Sequence, residues 1–165
     1  MIFCFKIRRF PSIIATIIGL LFAGQALPAE PTGRLVQNRQ PVISSVCLQD
    51  AGDLMATAGD DHIVRIWNLK TGTQVHQLHG HNGWVRTAKF IGNSNILATA
   101  GDDGQVIRWD CVSGRQLDVL LTVDHAIWRI AINPQATHLA IGGFNSKVTV
   151  VDLADKQITQ QHQHP

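Results

Sequence analysis

The sequence lacks the short motifs that mark the common enzyme classes. Its 165 residues contain no glycine-rich phosphate loop, no Gly-x-Ser-x-Gly elbow and no convincing His-acid-Ser set. Eight histidines are present, and the stretches "HQLHGH" and "HQHP" resemble metal-binding sequences, but no Cys or carboxylate lies at ligand spacing from them. The sequence therefore predicts a protein that is not an enzyme, with no metal site and no cofactor.

Clustered positive charge is also missing. The formal net charge is +2, but Lys6, Arg8 and Arg9 lie in the first 29 residues, whereas all 12 acidic residues follow them. Without that segment the chain has 11 basic residues against 12 acidic ones. This balance argues against nucleic acid or an anionic membrane surface as the main partner.

No apolar run is long enough for a comfortable membrane span, which needs about 20 residues. The longest, residues 13–23, follows the basic residues and is interrupted by Thr16 and Gly19. The stretch "ALPAE" then offers a small-residue cleavage site after Ala29. We predict that residues 1–29 are a cleaved signal peptide, with an uncleaved N-terminal anchor as the alternative. The protein would then be periplasmic or secreted, and bound to a membrane only if the segment is retained.

Cysteine is scarce, and only Cys47 and Cys111 follow the predicted signal peptide. An extracytoplasmic compartment would permit a disulfide between them. Cys47 falls in an early strand of one sequence repeat and Cys111 just after the last core strand of the next. These positions favour two buried or half-buried free thiols.

What the sequence does contain is a repeat. "LMATAGDDHIVRIWN" and "ILATAGDDGQVIRWD" match at eight of fifteen positions without a gap, and a further step of 42 residues reaches "HLAIGGFNSKVTVVD". The third copy keeps the hydrophobicity, the glycine and the final Asp but loses most identities. Self-similarity at such a period indicates a repeat architecture.

Each repeat contains four short runs separated by turn residues. In the middle copy the runs are residues 85–91, 96–100, 105–109 and 116–121, with "GNSN", "GDDG" and "VSG" between them. The runs alternate or are β-branched and aromatic, and Gly, Asn, Asp and Ser supply turn geometry. No sustained 3.6-residue apolar period occurs outside the first segment. We predict an all-β chain of four-stranded units.

A period of 40 to 45 residues with four strands and a terminal Trp-Asp is typical of a β-propeller blade. With "GH" at residues 80–81 and "LATAGDDGQVIRWD" after it, the chain resembles the WD-repeat (WD40) family. The resemblance covers about residues 32–165, with repeats at approximately 42–80, 81–122 and 123–165. It implies a partial WD40-type β-propeller of about three four-stranded blades.

The resemblance also implies a hydrogen-bonded network inside each blade, because buried polar groups must be paired. In the middle copy the four network residues are His81, Thr99, Asp103 and Trp109. The first copy has Thr57, Asp61 and Trp67, but Arg39 stands where the His should be. The third has Val123, Ile141, Asn145 and Val151, so we expect its blade to rely on apolar packing.

The acidic pairs have two interpretations. As scaffold, Asp61 and Asp103 close turns while Asp60 and Asp102 are solvated, and recurrence at the blade period favours this, since repeats replicate scaffold. In the rival hypothesis, a propeller of a periplasmic enzyme uses Asp60, Asp102 and His81 for catalysis or metal binding.

Members of the family bind proteins or peptides mostly on the face formed by the loops before the first strand and between the second and third. The resemblance therefore implies a non-enzymatic scaffold for an unidentified protein or peptide partner. The positions of this chain that map to this face are Val42, Ser44, Asp60, Trp84, Arg86, Asp102, Ala126, Trp128 and Phe144. Trp84, Arg86 and Trp128 are of the types that dominate binding hot spots, although the two indoles could merely cap the channel mouth.

Three repeats are fewer than the four to eight blades of most propellers. A three-blade arc leaves unpaired edges and an exposed packing face, which proteins normally avoid. The segment 32–40, "TGRLVQNRQ", resembles the outer strand of a preceding blade. We expect either a truncated gene product without independent function or a partial propeller completed by self-association.

Overall fold

A computed structural model of the chain describes residues 40–50 and 52–164, and the predicted signal peptide, residues 1–29, lies outside them. The described residues form three four-stranded antiparallel sheets, with strand orders β1-β2-β3-β4, β5-β6-β7-β8 and β12-β11-β10-β9. We call these sheets blades 1, 2 and 3. The predicted all-β fold of about three propeller blades is confirmed.

The strands are short and regularly spaced. Blade 1 consists of β1 (Ile43–Leu48), β2 (Leu54–Gly59), β3 (Val64–Asn68) and β4 (Thr73–Leu78). Blade 2 consists of β5 (Val85–Phe90), β6 (Ile96–Gly101), β7 (Gln105–Asp110) and β8 (Arg115–Thr122). Blade 3 consists of β9 (Ile127–Ile132), β10 (His138–Gly143), β11 (Lys147–Asp152) and β12 (Ile158–Gln163).

The blades pack face to face through the alternate residues of their strands. Between blades 1 and 2, Ile66 meets a cluster that includes Leu97 and Trp109, all at most 1% exposed. Between blades 2 and 3, Val106 belongs to a second buried cluster with Leu139. Because side chains alternate across a strand, each face of blade 2 supplies one of these two clusters.

Polar contacts join the blades as well. Gln49 Nε2 of blade 1 donates to Asn95 Oδ1 of blade 2 at 2.8 Å. Arg108 Nη1 of blade 2 donates to the carbonyl oxygen of Leu153 in blade 3 at 3.2 Å. These bonds fix the stacking of the blades beyond what apolar contact alone would specify.

Both described cysteines are free thiols in the cluster between blades 1 and 2. Burial, with smaller effects of Asp110 and Cys47, raises the pKa of Cys111 to about 12. Cys111 is therefore a protonated, unreactive core residue at neutral pH.

In residues 40–50 and 52–164, no helix is long and apolar enough to cross a membrane.

Candidate functional site

The repeated glycine of the "AGD" stretch shapes the loop face of each blade. Gly101 ends β6, and a Cβ at this position would collide with the carbonyl oxygen of Trp84. That same oxygen accepts a hydrogen bond from the backbone N–H of Asp102 at 2.9 Å. Next to this contact the β5–β6 register shifts between Val85 and Thr87. Glycine thus allows a bulge at the start of β5, which is the kind of irregularity that redirects side chains.

Behind this loop, blade 2 holds a continuous hydrogen-bonded chain. Trp109 Nε1 donates to Thr99 Oγ1 at 2.8 Å, and Thr99 Oγ1 lies 2.7 Å from His81 Nε2. His81 Nδ1 lies 2.8 Å from Asp103 Oδ2. Because a carboxylate only accepts, Nδ1 of His81 carries a proton and donates it to Asp103. The structure thus brings the four residues together in this order.

Asp103 is the anionic end of this chain. Burial raises its pKa, but the hydrogen bond from His81, the His81 charge and the backbone N–H groups of Gln105 and Asn82 together lower it below the usual value. The His81 side chain is fully buried and both ring nitrogens are bonded. Its imidazole is therefore occupied in packing and is not presented to a substrate.

Blade 1 keeps only half of the network. Trp67 Nε1 donates to Thr57 Oγ1 at 2.9 Å, but Asp61 pairs with Arg65 Nη2 at 2.6 Å. Arg39, which the repeat alignment places at the His position, lies outside the described residues. In the repeat alignment, Arg65 takes the position of the buried Ile107 of blade 2. Asp61 therefore pairs with this arginine, whereas Asp103 of blade 2 pairs with His81.

In blade 3 the turn residue Asn145 has a partner that the gap-free alignment missed. The alignment pairs it with Val123, whereas in the structure Asn145 Nδ2 lies 3.2 Å from Nδ1 of His125. The other two predicted replacements, Ile141 and Val151, are buried, at 2% and 0% exposure. The histidine lies two residues later in "VDHAIW", and a search that allowed for a longer loop would have found it.

On the loop face, Arg86 is held by Asp102 and by two indoles. Its Nε and Nη2 donate to the two carboxylate oxygens of Asp102, both at 2.7 Å. The guanidinium carbon lies 4.6 Å from the ring centroid of Trp84 and 5.1 Å from that of Trp128. The bond to Asp102 raises the pKa of Arg86 above its usual value. Such cation–π contacts and paired hydrogen bonds restrict a side chain that is otherwise flexible.

The stack continues into blade 3. The rings of Trp128 and Phe144 meet edge to face, with centroids 5.2 Å apart and an interplanar angle of 75°. Trp84, Trp128 and Phe144 are 42%, 47% and 73% exposed. We call Trp84, Arg86, Asp102, Trp128 and Phe144 together the aromatic cluster. It is an exposed, ordered surface that spans two blades.

Two cavities flank the aromatic cluster. One of about 540 Å³ lies beside Trp128 and Phe144 and also contacts Arg129, Lys147 and Val148. The other, of about 210 Å³, lies between blades 2 and 3 and is lined by three carboxylates, Asp102, Asp103 and Asp124, and by His125. The cluster is thus bordered by a cationic and apolar cavity on one side and an acidic one on the other.

Four predicted face residues do not belong to the aromatic cluster, namely Val42, Ser44, Asp60 and Ala126. The Ser44 hydroxyl lies within hydrogen-bond distance of two carbonyl oxygens, that of Ala58 at 3.2 Å and that of Val85, and its contact with Val85 joins blade 1 to blade 2. Asp60 accepts from the Val42 N–H at 2.8 Å and lines a separate cavity with Asp61. Ala126 lines the acidic cavity. Within residues 40–50 and 52–164, no three His, Cys, Asp or Glu side chains are grouped to hold a metal.

Comparison with known proteins agrees with this geometry. The profile of the family "WD domain, G-beta repeat" matches residues 29–68 and 72–110. The DENN domain and WD repeat-containing protein SCD1 of Arabidopsis thaliana is 33% identical over 54 residues, 33% of this chain and 4% of that protein. The SIR4-interacting protein SIF2 of Saccharomyces cerevisiae is 30% identical over 78 residues, 47% of this chain and 14% of that protein.

The chain spans only a small part of each of these relatives. The similarity is therefore one of repeat units. Two adjacent family matches, the three four-stranded blades and the Trp-Thr-His-Asp chain of blade 2 agree with one another. Residues 29–68 and 72–110 are thus two repeats of the WD-repeat family, whose repeats generally mediate protein–protein interaction.

Proposed function

We propose that this chain is a non-enzymatic scaffold that binds a protein or peptide through the aromatic cluster on the loop face of blades 2 and 3. The observation that carries this proposal is the ordered stack of Trp84, Arg86, Trp128 and Phe144, in which the three aromatic side chains remain 42 to 73% exposed. Tyr, Trp and Arg side chains are the ones that most often dominate binding energy at interfaces.

The order of the cluster supports binding over a capping role. Arg86 is already fixed by Asp102 and two indoles, so a partner would meet a preorganised surface and pay little side-chain entropy. An indole that only caps a channel would be expected to bury most of its surface, whereas Trp128 leaves 47% exposed. Two of the three residues of the rival enzyme hypothesis have structural contacts, since Asp102 is paired with Arg86 and His81 is buried.

The test starts from a phage-displayed random peptide library panned on the full chain. Selected peptides are then measured by fluorescence anisotropy against the native chain and the double variant Trp128→Ala/Phe144→Ala. We expect the double variant to lose at least about tenfold in affinity, since hot-spot aromatics contribute 2 kcal/mol or more each. Leu69→Ala, an exposed apolar residue remote in sequence, is the matched control. Selected peptides that bind the double variant and the native chain equally would place the binding face elsewhere.

We also propose that the chain is exported from the cytoplasm. The support is the order of Lys6, Arg8 and Arg9, the apolar run 13–23 and the "ALPAE" site. Expression of the full chain followed by fractionation and N-terminal sequencing is the test. Export requires mature protein beginning at Glu30 outside the cytoplasm, and full-length protein in the cytoplasm contradicts it.

A further inference from the structure

The acidic cavity lies at the junction of blades 2 and 3, on the loop face and beside the aromatic cluster. It has a volume of about 210 Å³, and three carboxylates line it, those of Asp102, Asp103 and Asp124. Asp102 also belongs to the aromatic cluster, where it binds Arg86. A segment that lies on the indoles of the cluster is therefore next to this cavity.

The walls of the cavity are formed by two blades that pack on each other. The Val123 N–H donates to the carbonyl oxygen of Gly104 at 2.9 Å, which joins the turn after β6 to the loop before β9. Gly104 has a φ of 70°, and a Cβ there would collide with the Val123 carbonyl oxygen. Glycine adopts this backbone conformation without strain. Contacts between blades 2 and 3 thus shape the cavity, whatever packs on the far sides of blades 1 and 3.

The junction carries an excess of negative charge. One of its three carboxylates, Asp102, is paired with Arg86. The other two, Asp103 and Asp124, bond to histidines, and among the described residues neither has a lysine or arginine within salt-bridge distance. Burial raises the pKa of Asp103, but its hydrogen bonds lower it below the usual value, and the hydrogen bond from a histidine lowers the pKa of Asp124. Both carboxylates are therefore ionised at neutral pH.

The two carboxylates differ in how far a partner can reach them. The side chain of Asp103 is only 6% exposed and accepts hydrogen bonds at both oxygens. The side chain of Asp124 is 100% exposed, and its Oδ1 lies 2.9 Å from Nδ1 of His125. Asp124 thus stands at the mouth of the cavity and Asp103 in its wall.

A cationic side chain is the group that this cavity suits. Its volume is below the about 300–1,000 Å³ of small-molecule pockets, so it fits one side chain better than a free ligand. An acidic side chain would meet like charge, which is strongly unfavourable at an interface. Lysine and arginine carry their charge on an apolar stem that can lie along an indole such as Trp128. The cations of blade 3 at this face, Arg129 and Lys147, line the other cavity and not this one.

We propose that the segment bound by the aromatic cluster is basic, and that it places a lysine or arginine side chain against Asp124 at the mouth of the acidic cavity. This inference rests on the proposed function, because the indoles supply the apolar contact and the carboxylates select the charge. An exposed ion pair contributes little affinity by itself. Its effect is to speed association with basic segments and to discriminate against acidic ones.

The test uses the peptides selected on the full chain from the random library. Their sequences should contain more Lys and Arg than the unselected library. Fluorescence anisotropy then compares the native chain with Asp124→Lys, which we expect to bind at least about tenfold more weakly, because the new ammonium group repels the peptide and pairs with the cavity carboxylates. Asp50→Lys, the same change at an exposed turn of blade 1, is the control and should stay within about twofold of the native chain.

A charge swap tests whether the contact is direct. Each basic residue of a selected peptide is replaced in turn by Glu, and one of these peptides should bind Asp124→Lys at least about tenfold more tightly than it binds the native chain. Circular dichroism verifies that the variant is folded. Asp124→Asn, with an expected loss of about threefold, replaces it if it is not.

The outcomes separate this inference from the proposed function. Peptides without an excess of basic residues, basic peptides that bind Asp124→Lys as tightly as the native chain, or the lack of any rescue by Glu would overturn the inference. If those peptides still lose affinity for Trp128→Ala/Phe144→Ala, the proposed function stands. Peptides that bind both variants like the native chain, or a library that yields no binder, contradict both proposals.

Discussion

Arg86 and Asp102 form two parallel hydrogen bonds, each 2.7 Å long, across the first two strands of blade 2. Asp102 is the first residue after β6, and Gly101 before it allows the Trp84 carbonyl to approach. Arg86 in turn contacts the rings of Trp84 and Trp128. The glycine, the carboxylate and the cation therefore fix two indoles that belong to different blades.

Arg86→Lys should loosen this arrangement without changing the charge. Lysine cannot make both hydrogen bonds to Asp102, and its ammonium group does not stack as a guanidinium does. We expect a loss of about 1 kcal/mol in the free energy of unfolding and greater acrylamide quenching of tryptophan fluorescence. Arg115→Lys, at an exposed position of β8, is the control. Unchanged quenching in Arg86→Lys would show that the indoles are fixed by other contacts.

Thr99→Val should be among the more destabilising single changes in blade 2. It removes the hydroxyl that accepts from Trp109 Nε1 and is hydrogen-bonded to His81 Nε2, and leaves both buried groups without that partner. We expect a loss of about 2–4 kcal/mol in urea unfolding. Thr57→Val provides the matched comparison, because the Thr57 hydroxyl accepts from the half-buried Trp67 without a histidine bonded to it among the described residues, and the expected loss is about 1 kcal/mol. Equal losses at the two sites would contradict a linked network in blade 2.

Gly101→Ala and Gly142→Ala test the close approach at the loop face. The first adds a methyl group against the Trp84 carbonyl, and the second adds one where no atom lies within 4 Å. We expect Gly101→Ala to lose at least about 2 kcal/mol and Gly142→Ala to stay within about 0.5 kcal/mol of the native chain. Thermal unfolding of both variants is the measurement, and a stable Gly101→Ala would refute the predicted collision.

Much of this fold could be predicted from the sequence because the 42-residue repeat carries it. The WD-repeat assignment and the all-β blades are confirmed, since strands and turns are local features that recur in register. The geometry of the aromatic cluster could not be predicted. Its residues come from three loops and two strands, and their mutual distances depend on the bulge beside Val85 and on how blade 3 packs on blade 2.

The pairing of Asn145 with His125 shows the second limit. A fixed step of 42 residues assumes equal loops, whereas the loop before β9 places its histidine two residues later than the step predicts. The pairing of Asp61 with Arg65 had a signal in the sequence, an arginine at the position of a buried isoleucine. That signal can be interpreted only when it is known that Ile66 faces blade 2, so that the adjacent Arg65 lies on the opposite face of the sheet.

Acid should weaken the contact between blades 2 and 3 through Asp118. Hydrogen bonds from Arg108, opposed by burial and helped by Lys156, lower the pKa of Asp118 from 3.8 to about 2. A lowered folded-state pKa stabilises the fold above about pH 4, and this contribution disappears as the pH falls from 4 toward 2. Solvent screening limits it to the order of 1 kcal/mol.

The measurement is the difference in unfolding free energy between the native chain and Asp118→Asn, followed from pH 5 to pH 2.5. The difference should shrink across this window, and Asp50→Asn, at an exposed turn position, is the control for the loss of a carboxylate. A difference that is constant with pH would mean that the Arg108–Asp118 pair contributes nothing to folding.

The position of blade 2 has a consequence for how the chain folds. In repeat proteins, stability is roughly the sum of each unit and its contacts with its neighbours, and folding spreads from the best unit. Blade 2 packs on both sides and has the complete Trp109-to-Asp103 chain, whereas among residues 40–50 and 52–164 blades 1 and 3 each pack on blade 2 alone. Its amide hydrogens should be the last to exchange with solvent, and structure should form at the centre and spread outward to both ends.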